Sequence, residues 1–187
     1  MKNFKAQPWV LPQPVAIIGT YNEDGTPNAM NAAWVAQCDH DKLIITMGNH
    51  ATTDNLARCD EFTVAFATEE TVVAADYVGV VSGRKEPHKV EKTGWKAIKG
   101  EKVNAPVFDV FPMTMECRIL QKSGEQEGGF MLFGEILNIQ VDEKYIGANG
   151  RPDVEKMKII TFDPVNNTYI VLGHTVGHAF RDGHQLK

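Results

Sequence analysis

Two short apolar runs near the start of the chain, residues 15–20 and 42–47, are rich in β-branched side chains and bounded by Gly, Pro and Asp. Runs of this length and composition are typical of buried strands. Asp24 and Gly25 follow the first run, and an Asp-Gly pair supplies the positive φ angles that a tight hairpin turn needs. Residues 14–66 therefore predict antiparallel strands with one short helix, and most of the unusual residues of the chain lie there.

The segment at residues 28–34, Asn-Ala-Met-Asn-Ala-Ala-Trp, combines small side chains with two Asn amides. Small side chains leave backbone N–H and C=O groups, which are strong hydrogen-bonding groups, open to close approach. A flat heteroaromatic ring would fit against such a wall. The alternative is that Trp34 belongs to the core, because large aromatic side chains mostly serve packing.

The next segment of interest, residues 48–55, reads Gly-Asn-His-Ala-Thr-Thr-Asp-Asn and predicts a loop that runs into a helix. The free N–H groups and the positive dipole end of a helix N-terminus attract phosphate. Thr52 or Thr53 followed by Asp54 is equally typical of a plain helix N-cap. The order of this segment after the Asn-rich one favours a ligand with both a ring and a phosphate.

Composition limits the class of protein. The chain has 187 residues, 20.7 kDa and a formal net charge of −5, which fits one domain with a substantial core. The acidic balance argues against a nucleic-acid partner. Because no apolar run reaches membrane-spanning length and residues 1–9 lack a signal-peptide core, we expect a cytoplasmic protein without a membrane partner.

The cysteines and histidines give no pattern of a metal site. Cys38, Cys59 and Cys117 are odd in number and widely spaced, which argues against a disulfide framework or a zinc site. Cys117 lies in an alternating strand segment and is predicted to be buried. His174 and His178 lie in a Gly-containing tail without rigid helical spacing, so we expect no metal there.

The remaining segments predict surface and closing elements. Residues 1–14 carry three prolines and predict an extended arm, and residues 69–78 predict a helix capped by Thr68 and stopped by Gly79. Trp95 could stack on a ring or hold its loop against the core. Further strands are predicted at residues 115–123, 130–141, 159–162 and 169–172, with a turn at residues 128–129 and a helical turn at residues 153–157.

Several motifs occur together in one order: PVAIIGTYNEDGTPNAMNAAW, NHATTDNL, DEFTVAF, AADYVGVVSG and the closing YIVLGHTVGHAF. They closely resemble the flavin reductase-like (flavoredoxin-type) family of FMN-binding split β-barrel proteins, over nearly the whole chain. The resemblance implies a mainly β fold with short helices, a Greek-key split barrel that forms a single domain over residues 1–187. It also implies a homodimer, with residues 1–14 and the tail after Gly173 at the interface.

The resemblance further implies an FMN site and NAD(P)H as co-substrate, with small molecules as electron donor and acceptor. Cofactors of this kind carry the redox chemistry, so we expect no dedicated catalytic residue. Among the two threonines, the resemblance favours Thr53 over Thr52 as the phosphate contact. The expected cofactor-binding residues are Asn28, Ala29, Met30, Asn31, Ala32, Ala33, Trp34, Met47, Gly48, Asn49, His50, Thr52, Thr53, Asn55, Ser82, Gly83 and Lys89.

The chain departs from the pattern of the family at positions that affect charge. Ala51 stands where relatives commonly carry a Lys, and Val90 and residues 35–36 also differ. The phosphate site then depends on Lys85, Lys89 or a partner subunit for its positive charge. Three functions remain open: an NAD(P)H-dependent flavin reductase, a flavoredoxin-like electron carrier without nicotinamide turnover, and a non-catalytic FMN-binding protein.

Overall fold

The computed structural model describes residues 1–126 and 129–187, and strands are its main elements. The predicted turn at residues 128–129 lies partly outside these described residues. The strands are β1 (Gln13–Pro14), β2 (Ala16–Tyr21), β3 (Pro27–Ala32), β4 (Val35–Asp39), β5 (Lys42–Met47), β6 (Glu61–Phe66), β7 (Ala97–Lys99), β8 (Pro106–Phe108), β9 (Met113–Gln126), β10 (Gly129–Val141), β11 (Ile160–Asp163) and β12 (Thr168–Val171).

The main sheet of the described chain has the order β3-β2-β6-β9-β10-β5-β4, with antiparallel neighbours. Its two edge strands, β3 and β4, are joined by only two residues, Ala33 and Trp34. The three Cα–Cα steps from Ala32 to Val35 span at most about 11 Å, so the sheet must curl until its edges meet. No ladder links β3 to β4 among the described residues, which leaves the barrel split there. The predicted single-domain split β-barrel is thus confirmed.

Alternation along β2 divides the core into two parts. Ala16 and Ile18 face the barrel interior, where they pack with Ile45, Phe62 and Leu132. Val15 and Ile17 face outward, under a second cluster that includes Val78, Trp95, Phe108 and Phe111. Both faces of this strand are buried because helices and a second sheet, β1-β11-β12, cover the outside of the barrel.

The helices are α1 (Ala51–Arg58), α2 (Val72–Val80) and the short α3 (Val154–Met157), with 3-10 turns at Glu91–Thr93, Glu143–Tyr145 and Asp182–Leu186. The predicted bounds of the second helix were wrong. Thr68 does not cap it, because Thr68 pairs with Ile159 in a β-bridge, so the helix begins only after Thr71. Gly79 does not end it; a Cβ there would lie 3.0 Å from the Cβ of Asn31, so glycine permits close packing of α2 on β3.

The structure decides between the two alternatives for Trp95 and confirms the predicted burial of Cys117. Trp95 is buried, with ring centroids 5.5 Å from Phe108 and 4.9 Å from Phe111, so it holds its loop against the core. Burial, with a smaller contribution from the neighbouring Glu116, raises the pKa of Cys117 to about 12, which makes this thiol an inert core residue. Within the described residues, no helix has the length and apolarity that crossing a membrane requires.

Candidate functional site

A cavity of about 230 Å³ lies between the N-terminus of α1 and the C-terminus of α2. We call its two sides the floor and the roof. The floor consists of Asn28, Met30, His50, Ala51 and Thr52, and the roof consists of residues 78–83 together with Lys89. The structure thereby brings together seven of the residues expected from the sequence: Asn28, Met30, His50, Thr52, Ser82, Gly83 and Lys89.

A chain of buried polar side chains supports the floor. The Asn28 amide donates to the Thr52 hydroxyl (2.9 Å) and to the Thr20 hydroxyl (3.1 Å). Behind it, the Asn55 amide donates to Thr20 (2.9 Å) and to the Asn22 carbonyl oxygen (3.1 Å). Because buried polar groups are costly unless paired, this network fixes α1 on strands β2 and β3. As an acceptor from Asn28, Thr52 keeps its own hydroxyl proton for a second partner in the cavity.

Thr53 has a different task from Thr52. Its hydroxyl donates to the His50 carbonyl (2.7 Å) and accepts from the His50 N–H (3.0 Å). These bonds close the first turn of α1, which is the work of a helix cap. Because the single hydroxyl proton is already used, Thr53 has none to give to a ligand. Asn55 likewise lies in the supporting network, where its carbonyl accepts from Arg58 (2.7 Å).

Lys89 places a cation in the roof although its side chain is only 3% exposed. Its ammonium donates to the carbonyls of Val78 (2.6 Å) and Val81 (2.8 Å) at the end of α2. Burial lowers the pKa of Lys89 to about 8, because the charged form loses its hydration. The ammonium has three N–H donors, so one remains for an anion in the cavity.

His50 and Arg84 complete the electrostatics of the site. Burial, and then repulsion by Arg84 and Lys89, lower the pKa of His50, so its ring is neutral at pH 7. Arg84 lies outside the cavity and donates to both carboxylate oxygens of Asp54, at 2.7 and 2.8 Å, and to the Asn49 side chain. An anion in the cavity would thus lie close to two cations and would raise the pKa of His50.

Glycine at position 83 lets the roof lie directly on the floor. A Cβ on Gly83 would be 2.8 Å from Oδ1 of Asn28 and 3.0 Å from the Cβ of Ala51. Contacts that short would require either the roof or the floor to move. The loop can therefore close over the start of α1 only with glycine here.

The other expected site residues lie elsewhere. Ala33 and Trp34 line a separate cavity of about 480 Å³ beneath the N-terminal arm, where Trp34 is 59% exposed. Met47, Gly48 and Asn49 line a third cavity of about 340 Å³. The His50 ring lies against Gly48, so this third cavity adjoins the first.

Three expected residues take part in packing. Ala29 and Ala32 are buried in the core. Asn31 donates its amide hydrogen to the Ala75 carbonyl of α2 (3.2 Å). These three positions hold strand β3 in place next to the cavity.

Sequence reasoning missed Arg84, Thr20 and Asn22. Arg84 stands in a run of exposed polar residues, and its partner Asp54 is 30 positions away, so no local spacing links them. Thr20 lies next to the last residue of β2, after a run that reads as apolar. The available signal for Thr20 was its pairing with Asn28 across the β2–β3 ladder, which places two polar side chains opposite each other.

A curled, split sheet with a polar cavity at a helix N-terminus defines a split-barrel protein with a candidate ligand site. Residues 10–152 match the model of the family described as "Flavin reductase like domain". The chain therefore belongs to the flavin reductase-like family. Among curated proteins, none matched the chain.

Solved structures agree with this family. Flavoredoxin of Desulfovibrio vulgaris (Miyazaki F) is similar at 30% identity with a TM-score of 0.91, over 98% of this chain and 99% of that one. Flavoredoxin from Methanosarcina acetivorans is similar at 28% identity with a TM-score of 0.87, over the full length of both. An FMN-binding protein from Thermus thermophilus shares the fold, at 16% identity with a TM-score of 0.75, over 95% of this chain and 99% of that one.

Proposed function

We propose that this protein binds FMN and works as a flavoprotein oxidoreductase. The observation that carries the proposal is the cavity at the start of α1, where Lys89 and Thr52 each have a hydrogen-bond donor left for an anion. Membership of the flavin reductase-like family and the similarity to flavoredoxins support a flavin as the ligand that brings this anion.

The residues of the cavity fit the phosphate end of FMN. At about 230 Å³ it is smaller than the 300–1,000 Å³ typical of small-molecule sites, so it has room for only part of such a ligand. Lys89, Thr52 and the first turn of α1 would hold the phosphate, and Asn28 would orient Thr52. The single helix N-terminus favours a monophosphate, and therefore FMN over FAD.

When bound, FMN supplies hydride and single-electron transfer, and the protein supplies binding and orientation. We further propose that NADH or NADPH is the electron donor and that a flavin, a ferric complex or a protein is the acceptor. The second candidate is a flavoredoxin-like electron carrier without nicotinamide turnover. The similarity to two flavoredoxins over almost the whole chain favours this alternative specifically.

A homodimer is part of the same proposal. The N-terminal arm and the C-terminal tail expose apolar side chains, including Phe4, Val176 and Phe180. Trp34, which lines a cavity together with residues of the arm, is also exposed. Exposed apolar surface of this kind often marks an interaction site. Light scattering should give about twice the mass of 20.7 kDa, whereas a monomer at micromolar concentration would contradict the dimer.

Two measurements test the proposed function. Calorimetry should show FMN binding more tightly than FAD and riboflavin, and equal or tighter FAD binding would contradict the phosphate assignment. Stopped-flow absorbance of the bound flavin after mixing with NADH or NADPH then separates the two candidates. Rapid bleaching of the bound flavin supports a reductase, and reduction by dithionite but not by either nicotinamide supports a carrier.

A further inference from the structure

The roof and the floor of the cavity are tied together at their exposed edge by few contacts. Arg84 follows the roof and reaches the start of α1 beside the floor, where it donates to Asp54 and to the side chain of Asn49. It also lies 3.4 Å from the His50 carbonyl. A weaker tie joins the Asn22 amide to the Pro87 carbonyl (3.3 Å).

Among the described residues, the rest of this loop makes fewer polar contacts with the barrel. Between Ser82 and His88, most residues are exposed, and Glu86 pairs with Lys92 rather than with the floor. Lys89 and Val81 fix the two ends of the loop, since Lys89 is buried and bonded to the Val81 carbonyl. Between these fixed ends, the Arg84–Asp54 pair and the Asn22–Pro87 bond hold the segment to the barrel.

We propose that Arg84 is a latch: its bidentate pair with Asp54 holds the roof down on the floor and sets how fast a ligand enters and leaves the cavity. Arg84 is thus a positioning residue and makes no contact with the ligand. This inference rests on the proposed FMN site for its ligand, but the closed loop itself does not.

Geometry and magnitude both support a latch and argue against a permanent clamp. Arg84 and Asp54 are each a little under half exposed, so water and salt screen their attraction. Exposed ion pairs contribute about 0.2–1 kcal/mol, and the upper half of this range corresponds to a change of about two- to fivefold in the population of the open loop. Such a pair biases a loop without locking it.

Arg84→Gln tests the proposal, with Arg118→Gln as the matched control. Arg118 forms a similar partly exposed pair with Glu61 (2.9 Å) on the barrel wall, away from the cavity. Stopped-flow mixing with FMN should show both the association and the dissociation rate constants rising by about two- to fivefold in Arg84→Gln. The control should keep both rate constants. Arg84→Lys should fall between, because a lysine cannot reproduce the fork.

Three outcomes would overturn the latch. A rise in the dissociation rate alone would mean that Arg84 contacts the ligand. Unchanged rates in Arg84→Gln would mean that the pair has no hold on the loop. Equal effects in Arg118→Gln would mean that general charge is responsible.

Hydrogen exchange without ligand keeps the latch distinguishable from the FMN proposal. Amide exchange at residues 82–88 should be about two- to fivefold faster in Arg84→Gln and in Asp54→Asn than in Arg118→Gln. If FMN does not bind the wild type while exchange rises as stated, the proposed function fails and the latch stands. If exchange is unchanged in the variants while FMN binds the wild type normally, the latch fails and the proposed function stands.

Discussion

The side-chain amide of Asn28 donates to the hydroxyl of Thr52 across 2.9 Å, and this bond distinguishes Thr52 from the adjacent Thr53. Thr52 is left with a free proton at the cavity. Thr53 spends its proton on the His50 carbonyl. These hydrogen bonds favour Thr52 as the phosphate contact, whereas the family resemblance favours Thr53.

Thr52→Val should weaken FMN binding by about ten- to a hundredfold, because a hydrogen bond to a charged group contributes about 1.5–3 kcal/mol. Thr53→Val should instead lower the free energy of unfolding by about 0.5–2 kcal/mol, the usual cost of a lost cap. Calorimetry and urea unfolding of both variants separate the effects. Thr52→Ser, which keeps the hydroxyl, should bind FMN normally; a larger loss of affinity in Thr53→Val would restore the sequence-based order.

The charge on Lys89 should make FMN binding depend on pH. Its pKa of about 8 in the free protein means that the ammonium loses its proton as pH rises through 8, so FMN affinity should fall there. Bound phosphate favours the charged form and should raise this pKa. Measurements of FMN affinity between about pH 6 and 10 test this. In Lys89→Met, the fall in FMN affinity around pH 8 should be smaller than in the wild type.

Lys89 also predicts the pH dependence of stability without ligand. Its folded pKa lies below the ordinary value of 10.5, so between about pH 8 and 10.5 the unfolded state binds more protons than the native state. Stability should consequently rise with pH in this window, by up to about 1.4 kcal/mol per pH unit from this group. Comparing urea midpoints of wild type and Lys89→Met isolates it; parallel curves would show an unperturbed lysine.

Ala51→Lys should tighten FMN binding modestly, by about five- to tenfold, and increase its sensitivity to salt. Ala51 lines the floor beside Thr52 and beneath Gly83, so a lysine there must run along the cavity. If both cations share one phosphate, Lys89→Met will cost less in the Ala51→Lys background than in the wild type. Additive effects in this double-mutant cycle would mean separate targets.

Glu116 should support the fold and leave ligand affinity alone. Its buried carboxylate accepts from Lys102 N–H (2.6 Å), Val103 N–H (3.2 Å), Asn138 (2.8 Å) and Gln140 (2.7 Å). Burial alone would raise its pKa, but these bonds outweigh burial and lower it. Glu116→Gln should cost about 2–4 kcal/mol of unfolding free energy at pH 7.

Acid should remove the same stabilisation from the wild type. Because the folded pKa of Glu116 is lowered, its contribution is present above the ordinary value and is lost as pH falls through the folded pKa. The stability difference between wild type and Glu116→Gln should therefore shrink at acid pH. A constant difference would show that packing, and not ionisation, is responsible.

Local sequence patterns predicted much of the fold, because strand alternation and turn residues depend on only a few neighbouring positions. The runs at residues 15–20 and 42–47 became β2 and β5 almost unchanged. The start of α2 was misplaced because the Thr68–Ile159 bridge joins positions that are 91 residues apart. The local sequence around Thr68 does not predict that pairing.

The candidate site divides in the same way. Asn28, His50 and Lys89 carry motif signals and do meet at one cavity. Arg84 went unnoticed because its role depends on Asp54 in another element, and Trp34 lines a different cavity because it sits at the barrel seam. The sequence alone does not tell which hydroxyl of Thr52 and Thr53 keeps a free proton. That depends on hydrogen bonds that form only in the folded structure.

The seam at Ala33 and Trp34 also limits how this chain can vary in length. Those two residues join the two edge strands of the seven-stranded sheet, β3 and β4. Their short reach therefore sets the circumference of the barrel. An inserted residue there would widen the gap between β3 and β4, whereas one in the exposed turn at Asn149 and Gly150 would add only surface loop. Tolerance to insertion should thus be lowest where the printed sequence looks most like an ordinary connection.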